Sequence, residues 1–229
     1  MAGIAHNVST VRACVERAAR RGGRDPREVT LVAVSKTVPV ERLRGIAATG
    51  VDDLGENRVQ EAAPKVAALG AGLTWHLIGH LQGNKAKAAV GLFDLIQSVD
   101  SEELAVALDR HAGALGKRQR ILFQVNISGE ESKSGFVPGA LRDSAASLAA
   151  LQNVQAEGLM TIAPLGADEN RLRSVFAGLR ALRDELAPAF GPAWRHLSMG
   201  MTDDYEIAVE EGATLVRVGR GVFGDRQQV

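Results

Sequence analysis

The sequence is short of several residue types, and each shortage narrows the class of protein. There is one cysteine, Cys14, so no internal disulfide can form. Its neighbours at helical spacing are apolar, which predicts a small packing contact rather than a reactive thiol. No uncharged apolar run approaches the roughly 20 residues of a membrane span, and the N-terminus has no apolar core of signal-peptide type. These features predict a cytoplasmic protein.

Net charge is also missing, since 27 basic side chains balance 27 acidic ones. A neutral chain has no strong attraction to nucleic acid or to an anionic membrane, so we expect neither as a partner. The composition is that of an ordinary globular protein, with 45% hydrophobic and 24% charged residues. A chain of 229 residues can form one α/β barrel, and no linker or low-complexity segment divides it. We therefore expect a single domain, residues 1–229.

Strand-like and helix-like patterns alternate along the chain. An amphipathic helix is predicted first, over Ile4–Arg21, and Gly22-Gly23 ends it. The apolar run Thr30–Lys36 has no polar alternation, which is typical of a parallel strand covered on both faces. Seven further strands are predicted at Asp53–Asn57, Thr74–His80, Leu95–Asp100, Arg120–Ile127, Val154–Ile162, His196–Met201 and Leu215–Gly219.

Helices are predicted between these strands. One is expected to begin near Pro39 and to end at about Thr49, before Gly50. Two longer helices follow from apolar residues on one face, over Ser101–Leu115 and Asn170–Leu186. Strict alternation implies a parallel sheet, and about eight units in this length favour a (β/α)8 TIM barrel with an extra N-terminal helix. An open doubly wound sheet is the alternative.

Polar residues close most of the predicted strands. A single strand-end lysine is usually solvated, and a single asparagine or serine usually caps a turn. In a (β/α)8 barrel, however, all strand C-termini lie on one face, which is where active sites are built. The convergence of these residues predicts a site there: Lys36, Glu56, Asn57, His80, Asp100, Asn126, Thr161, Ser198 and Arg217.

Lys36 follows four apolar residues and Ser35 at the predicted mouth of the first strand. Apolar surroundings disfavour an ammonium group, so we expect an amine able to attack an aldehyde. Pyridoxal 5'-phosphate (PLP) is the common aldehyde cofactor that needs such a lysine. Its phosphate requires free backbone N–H groups, which the glycines at 219, 221 and 224 can expose, and Ser198-Met199-Gly200 adds a hydroxyl beside a glycine.

Several segments resemble, in order along nearly the whole chain, the YggS/PROSC family of PLP homeostasis proteins. The resemblance implies a fold type III barrel shared with the N-terminal domain of alanine racemases. It also implies that Lys36 carries the cofactor as a Schiff base and that Arg217 faces the pyridine nitrogen. The segments are Ala33-Val-Ser-Lys36, Leu54-Gly-Glu-Asn57, Trp75-His-Leu-Ile-Gly-His-Leu-Gln82, Asn84-Lys85, Gly158-Leu-Met-Thr161, His196-Leu-Ser-Met-Gly-Met-Thr-Asp-Asp204 and Val216-Arg-Val-Gly219.

The same resemblance assigns the other contacts of the cofactor. Asn57, His80 and Met199 would line the ring pocket. The phosphate would lie against Ser198, Gly200 and the Gly219-Arg220 backbone. Many relatives have serine or threonine at position 220, so the role of the Arg220 side chain stays open. Arg217 has an alternative too, an ion pair on the barrel rim with Glu210 or Glu211.

The sequence favours a carrier over an enzyme. Racemases of this fold type take a second base from a tyrosine of a partner subunit's C-terminal β-domain. The one tyrosine here, Tyr205, follows Asp203-Asp204 at a predicted helix start, where a surface or staple residue is expected. The resemblance implies storage of PLP and delivery to apo-enzymes by a monomer or weak dimer, without turnover.

Two alternatives stay open at this point. One is a small PLP-dependent racemase or decarboxylase that uses His80 or Lys85 as acid or base. The other is a TIM barrel that binds some other phosphorylated metabolite without covalent chemistry.

Overall fold

The computed structural model describes residues 2–130 and 133–224 and forms a closed barrel. All eight strands are parallel and pair in chain order, and β8 pairs with β1 to close the ring. The predicted (β/α)8 TIM barrel is confirmed. The strands are β1 Thr30–Val34, β2 Asp53–Glu56, β3 Thr74–Leu77, β4 Leu95–Val99, β5 Gln119–Gln124, β6 Val154–Met160, β7 His196–Ser198 and β8 Leu215–Val218.

The helices surround the barrel, and the extra N-terminal helix is confirmed. Helix α1 packs against α9 and α10 through its buried residues Val8, Val11, Val15 and Ala18. No helix in the described ranges is long and apolar enough to cross a membrane. The helices are α1 Ala2–Arg21, α2 Val40–Leu43, α3 Val59–Leu69, α4 Ala86–Leu92, α5 Glu102–Ala114, α6 Pro138–Asp143, α7 Ala145–Ala149, α8 Glu169–Phe190, α9 Tyr205–Glu210 and α10 Arg220–Phe223.

The single helix predicted from Pro39 to Thr49 is wrong. The chain forms the short helix α2 and then a separate 3₁₀ helix, Ala47–Thr49. Pro39 is the N-cap of α2 rather than its first turn, and Gly50 ends the 3₁₀ helix with φ of 72°. A four-residue helix is set by packing rather than by propensity, and here Leu43 and Ile46 turn into the core.

The predicted strands also extend too far at their C-termini. The first strand ends at Val34 instead of Lys36, and the third at Leu77 instead of His80. Beyond these points the chain leaves the sheet, and Thr37 has a positive φ of 63°. Six of the nine predicted strand-end residues therefore lie on the loops above the barrel, the usual place for function in this architecture, whereas Glu56, Ser198 and Arg217 stay within strands.

Alternation along the strands separates an inner and an outer set of side chains. The inner apolar set is small and comprises Val32, Leu95, Leu122, Met160 and Leu215. The outer set joins the barrel to the helices in one large core. Because successive strand residues point to opposite faces, the parity of a residue decides whether it faces the barrel interior or the helices.

Candidate functional site

Lys36 stands at the mouth of the barrel, two residues beyond the end of β1. Its side chain is half-buried, and the next residue, Thr37, has the left-handed backbone conformation. A non-glycine residue with positive φ is uncommon and persists where the surroundings hold it. The chain therefore makes a sharp turn directly after the lysine.

The backbone before Lys36 is held by a buried ion pair. Lys65 of α3 donates to the carbonyl of Ser35 at 2.7 Å and to Oε1 of Glu56 at 2.7 Å. The Ser35 hydroxyl donates to the same Glu56 oxygen at 2.5 Å. Glu56 is fully buried and faces the helices, so this predicted site residue does not face the barrel interior. Its role is to tie β1, β2 and α3 together beneath Lys36.

Arg217 lies inside the barrel, 3% exposed, with neutral hydrogen-bond partners. Its Nη1 donates to the Ser198 hydroxyl at 2.7 Å and its Nη2 to the Thr161 carbonyl at 2.8 Å. Burial lowers the pKa of Arg217 to about 10, against the opposing effect of Asp204. The guanidinium stays charged at neutral pH, with donors left for a ligand.

The alternative pairing of Arg217 with Glu210 or Glu211 is wrong. Glu210 pairs with Arg21 at 2.6 Å and with Arg173 at 2.6 Å. Glu211 likewise accepts from arginines of α8. Both carboxylates lie on the helix side, because Arg217 points inward from β8 and α9 packs outside the barrel.

Ser198 and Met199 fall on opposite faces of the barrel wall. Ser198 is fully buried in the interior, where its hydroxyl accepts from Arg217 and donates to Oε1 of Gln97 at 2.6 Å. Met199 is fully buried in the outer core, toward the helices. The Ser198 hydroxyl is thus committed to Arg217 and Gln97, and only the backbone of Met199 can reach the barrel mouth.

Backbone N–H groups remain as candidate phosphate contacts. Gly200 has φ of 89°, and a Cβ there would lie 2.6 Å from the Cβ of Ala208, so a side chain is excluded. Gly219 precedes α10, and within residues 2–130 and 133–224 the N–H groups of Gly219, Arg220 and Gly221 donate to no protein acceptor. Such unpaired N–H groups are suited to bind an anion.

The Arg220 side chain points away from this backbone. It is 57% exposed and pairs with Asp203 at 2.6 Å. The Arg220 side chain therefore makes a surface ion pair. Only its backbone N–H is placed to contact a phosphate.

Asn57 and His80 line a cleft beside the mouth of the barrel. The cleft has a volume of about 480 Å³ and also includes Lys85. Nδ1 of His80 lies 2.9 Å from Oδ2 of Asp100, which explains that predicted strand-end residue as a partner of the histidine. Gly79 must be glycine here, since a Cβ would lie 2.3 Å from the carbonyl oxygen of Asn57.

Two further strand-end residues stabilise loops. The Asn126 amide donates to the carbonyl of Glu130 at 2.8 Å, and its oxygen accepts from Gly129. The Thr161 hydroxyl donates to the carbonyl of Val125 at 2.8 Å. Both side chains are used within the fold, although the Thr161 carbonyl holds Arg217.

Of the two roles expected for Tyr205, a surface or a staple residue, its burial excludes the first. It is 9% exposed and lies outside the barrel beside Cys14 of α1. Burial, together with Cys14, raises the pKa of Tyr205 well above its usual value. The phenol packs under α1, so it is not placed as a base at the barrel mouth.

Sequence reasoning missed the polar residues of the barrel interior, chiefly His76 and Gln97. His76 is 2% exposed and Gln97 is fully buried. The glutamine in the middle of the apolar strand Leu95–Val99 could have indicated this polar interior, because a buried amide requires hydrogen-bond partners.

Among the described residues, no three histidine, cysteine or acidic side chains are grouped to hold a metal ion.

These donors match the chemical requirements of PLP. Lys36 supplies an amine at the barrel mouth, Arg217 a buried donor with neutral partners, and residues 219–221 free N–H groups. An aldehyde, a ring nitrogen and a phosphate are the three groups of PLP that such residues can bind.

Comparison with known proteins places the chain in a family. The model of the alanine racemase N-terminal domain matches residues 2–227. The pyridoxal phosphate homeostasis protein of Aquifex aeolicus is 42% identical over 93% of this chain and 94% of its own. That of Pseudomonas aeruginosa is 41% identical over 99% and 97%.

Solved structures agree with the sequence matches. PipY of Synechococcus elongatus, 43% identical, superposes with a TM-score of 0.88 without PLP and 0.86 with PLP bound, in each case over 96% of this chain and 100% of PipY. Alanine racemase of Clostridium difficile, 14% identical, shares the fold with a TM-score of 0.77 over 58% of its length. The chain therefore belongs to the family of pyridoxal phosphate homeostasis proteins, built on the alanine racemase N-terminal domain fold.

Proposed function

We propose that this protein binds PLP as a Schiff base on Lys36 and acts in PLP homeostasis. It holds the reactive aldehyde, keeps free PLP low and delivers the cofactor to apo-enzymes. When bound, PLP supplies an aldehyde carbon for the lysine and a conjugated ring. The observation that carries the proposal is that Lys36, two residues beyond the end of β1, stands next to the strand that holds the buried Arg217, since β1 and β8 are hydrogen-bonded neighbours.

We propose the remaining contacts on the same structure. Arg217 would donate to the pyridine nitrogen, and the backbone N–H groups of Gly200, Gly219 and Arg220 would hold the phosphate. Asn57 and His80 line the ring pocket, with Met199 contributing its backbone. Ser198 acts on the cofactor through Arg217, since its hydroxyl is bonded to that guanidinium.

A carrier fits these residues better than a racemase. Racemisation needs a proton donor and acceptor on each face of the cofactor, and Tyr205 lies under α1, away from the mouth. The ring nitrogen opposite an arginine accepts a hydrogen bond and stays unprotonated, which makes the ring a poorer electron sink. The relatives are named as homeostasis proteins, consistent with holding PLP without turnover.

The proposal extends to domain organisation, cellular location, oligomeric state and partners. We propose one domain over the whole chain, a cytoplasmic location, and a monomer or weak dimer. PLP-dependent apo-enzymes are the proposed recipients, and neither nucleic acid nor membrane is a proposed partner.

Borohydride reduction of the PLP-loaded protein, followed by peptide mapping, tests the proposal. The pyridoxyl label is expected on Lys36, and Lys36→Ala should lose both the label and the visible absorbance. Lys85→Ala is the matched control and should keep both. A label mainly on Lys85, Lys87 or Lys133 would contradict the assignment.

Turnover separates the carrier from the enzyme. Purified protein should not racemise alanine or serine faster than free PLP does. Even one general acid or base contributes roughly 10²–10⁴-fold, so real activity would stand clear of background. Robust turnover that Lys36→Ala abolishes would establish the racemase instead.

A further inference from the structure

A continuous hydrogen-bond chain crosses the barrel interior from Arg217 to the first residue of β2. The Ser198 hydroxyl donates to Oε1 of Gln97 at 2.6 Å, and Nε2 of Gln97 lies 2.7 Å from Nδ1 of His76. Nε2 of His76 lies 2.8 Å from Oδ1 of Asp53. The serine, the glutamine and the histidine are at most 2% exposed, while the aspartate side chain, at the N-terminal end of the strands, is 28% exposed.

Arg217 and Asp53, at the two ends of this hydrogen-bond chain, determine which group donates in each hydrogen bond. Arg217 can only donate, and an ionised Asp53 can only accept. Ser198 therefore accepts from the arginine and donates onward, the Gln97 amide donates to Nδ1, and His76 carries its proton on Nε2. All of the donors point from the cation toward the carboxylate.

Arg217 has no hydrogen-bonded acidic partner among the described residues, and this series of hydrogen bonds links it to the carboxylate of Asp53. Asp204 acts on Arg217 electrostatically, but its Oδ1 accepts from the N–H of Met201 and burial raises its pKa. In a buried network each polarised hydrogen bond strengthens the next. The hydrogen bonds thus connect the Asp53 carboxylate to the guanidinium through the side chains of His76, Gln97 and Ser198.

We propose that Gln97, His76 and Asp53 are positioning residues for the cofactor. They orient Ser198 and, through it, hold Nη1 of Arg217, so that the other N–H groups of the guanidinium face the ring nitrogen. The inference rests on the proposed function for its effect on PLP, but the direction of the chain is a property of the protein alone.

The tautomer of His76 tests that direction without any cofactor. Nitrogen-15 NMR of the imidazoles in the PLP-free protein should show a neutral His76 with a proton on Nε2 at neutral pH, assigned by the loss of its signals in His76→Gln. A proton on Nδ1, or a doubly protonated ring, would overturn the chain whether or not the protein binds PLP.

Matched substitutions test its effect on the cofactor. Gln97→Leu is expected to weaken PLP binding about tenfold, because it removes the acceptor that orients Ser198, and Asp53→Asn about threefold to tenfold. Both should shift the nitrogen-15 resonance of ring-labelled PLP. Two control variants should each change PLP affinity less than twofold. Gln119→Leu replaces a fully buried glutamine that is not part of the hydrogen-bond chain, and Asp52→Asn replaces the exposed aspartate next to Asp53.

The double variant Asp53→Asn/Gln97→Leu decides between a chain and separate effects. If Asp53 acts through Gln97, the double variant should bind PLP no more weakly than Gln97→Leu alone. The proposal would be overturned if the loss of PLP affinity in the double variant equalled the product of the losses in the two single variants. Losses of the same size in the control variants would also overturn it. If the wild-type protein fails to bind PLP, the proposed function falls, and the tautomer still decides the chain.

Discussion

Two cations are buried on opposite sides of the same barrel wall, and their partners differ. Lys65, on the helix side, bonds directly to the fully buried carboxylate of Glu56. Arg217, in the barrel interior, bonds to a hydroxyl and a carbonyl. The first charge is neutralised within the fold, whereas the second keeps its attraction for a ligand. The absence of a direct carboxylate partner for its buried cation therefore distinguishes the barrel interior, the proposed binding side, from the helix side.

Removing the structural cation is expected to have the largest effect. Lys65→Met leaves the Glu56 carboxylate buried without its counterion, and breaking such a pair costs about 3–5 kcal/mol of unfolding free energy. Urea unfolding would measure it. The exposed Lys87→Met is the control, and Glu56→Gln/Lys65→Met should recover part of the loss. A change below about 1 kcal/mol would mean that the two buried cations do not differ in this way.

Removing the binding cation should instead affect ligand affinity. Arg217→Met is expected to weaken PLP binding about a hundredfold, since a hydrogen bond to a charged group contributes roughly 1.5–3 kcal/mol. Unfolding free energy should stay the same or rise, because a buried charge without a carboxylate is replaced by an apolar side chain. Titration with PLP and urea unfolding give the two values. Unchanged affinity with a large loss of stability would reverse the comparison.

His196 is a third buried basic group, and unlike Lys65 and Arg217 it is neutral at neutral pH. Burial lowers the pKa of His196 to about 4 from its ordinary 6.5. The unfolded state then binds more protons between these values, so stability is complete above about pH 6.5 and falls as the pH drops toward 4. We expect a loss of about 3 kcal/mol across this window. His196→Gln should flatten that part of the curve, and an unchanged slope would assign it to other groups.

The exposed Arg220 should give the smallest effect. Its surface pair with Asp203 contributes at most about 0.5 kcal/mol, as exposed pairs generally do. Arg220→Ala should also leave PLP affinity within twofold, because the backbone N–H is kept. Fluorescence titration would check this, and a tenfold loss would place the side chain in the phosphate site.

Much of the fold was predictable from local patterns. The eight strands, the leading helix and the two long helices rest on periodicities that reflect which faces are buried. Their ends were less predictable. Strand β1 ends before Lys36 because the chain turns at Thr37, and the helix after Pro39 breaks because Leu43 and Ile46 pack inward.

The site was predicted in part. The strand ends singled out Lys36 and Arg217 as candidates, and their roles on PLP remain predictions. Lys65 was missed, although it shares the apolar face of its helix with Ala62 and Leu69, which is an unusual place for a lysine. The sequence could not predict which of Ser198 and Met199 faces the barrel interior, since a shift of one residue exchanges the two faces of a strand.

By itself, the sequence determined the alternation of strands and helices, the neutral charge and the chemistry available at the strand ends, because these depend on composition and short-range spacing. Only the tertiary structure decided which polar residues meet. Ser198, Gln97, His76 and Asp53 come from four different strands, and closing the barrel brings their inward side chains into one chain of hydrogen bonds. That contact depends on register around the whole ring, which no local pattern encodes.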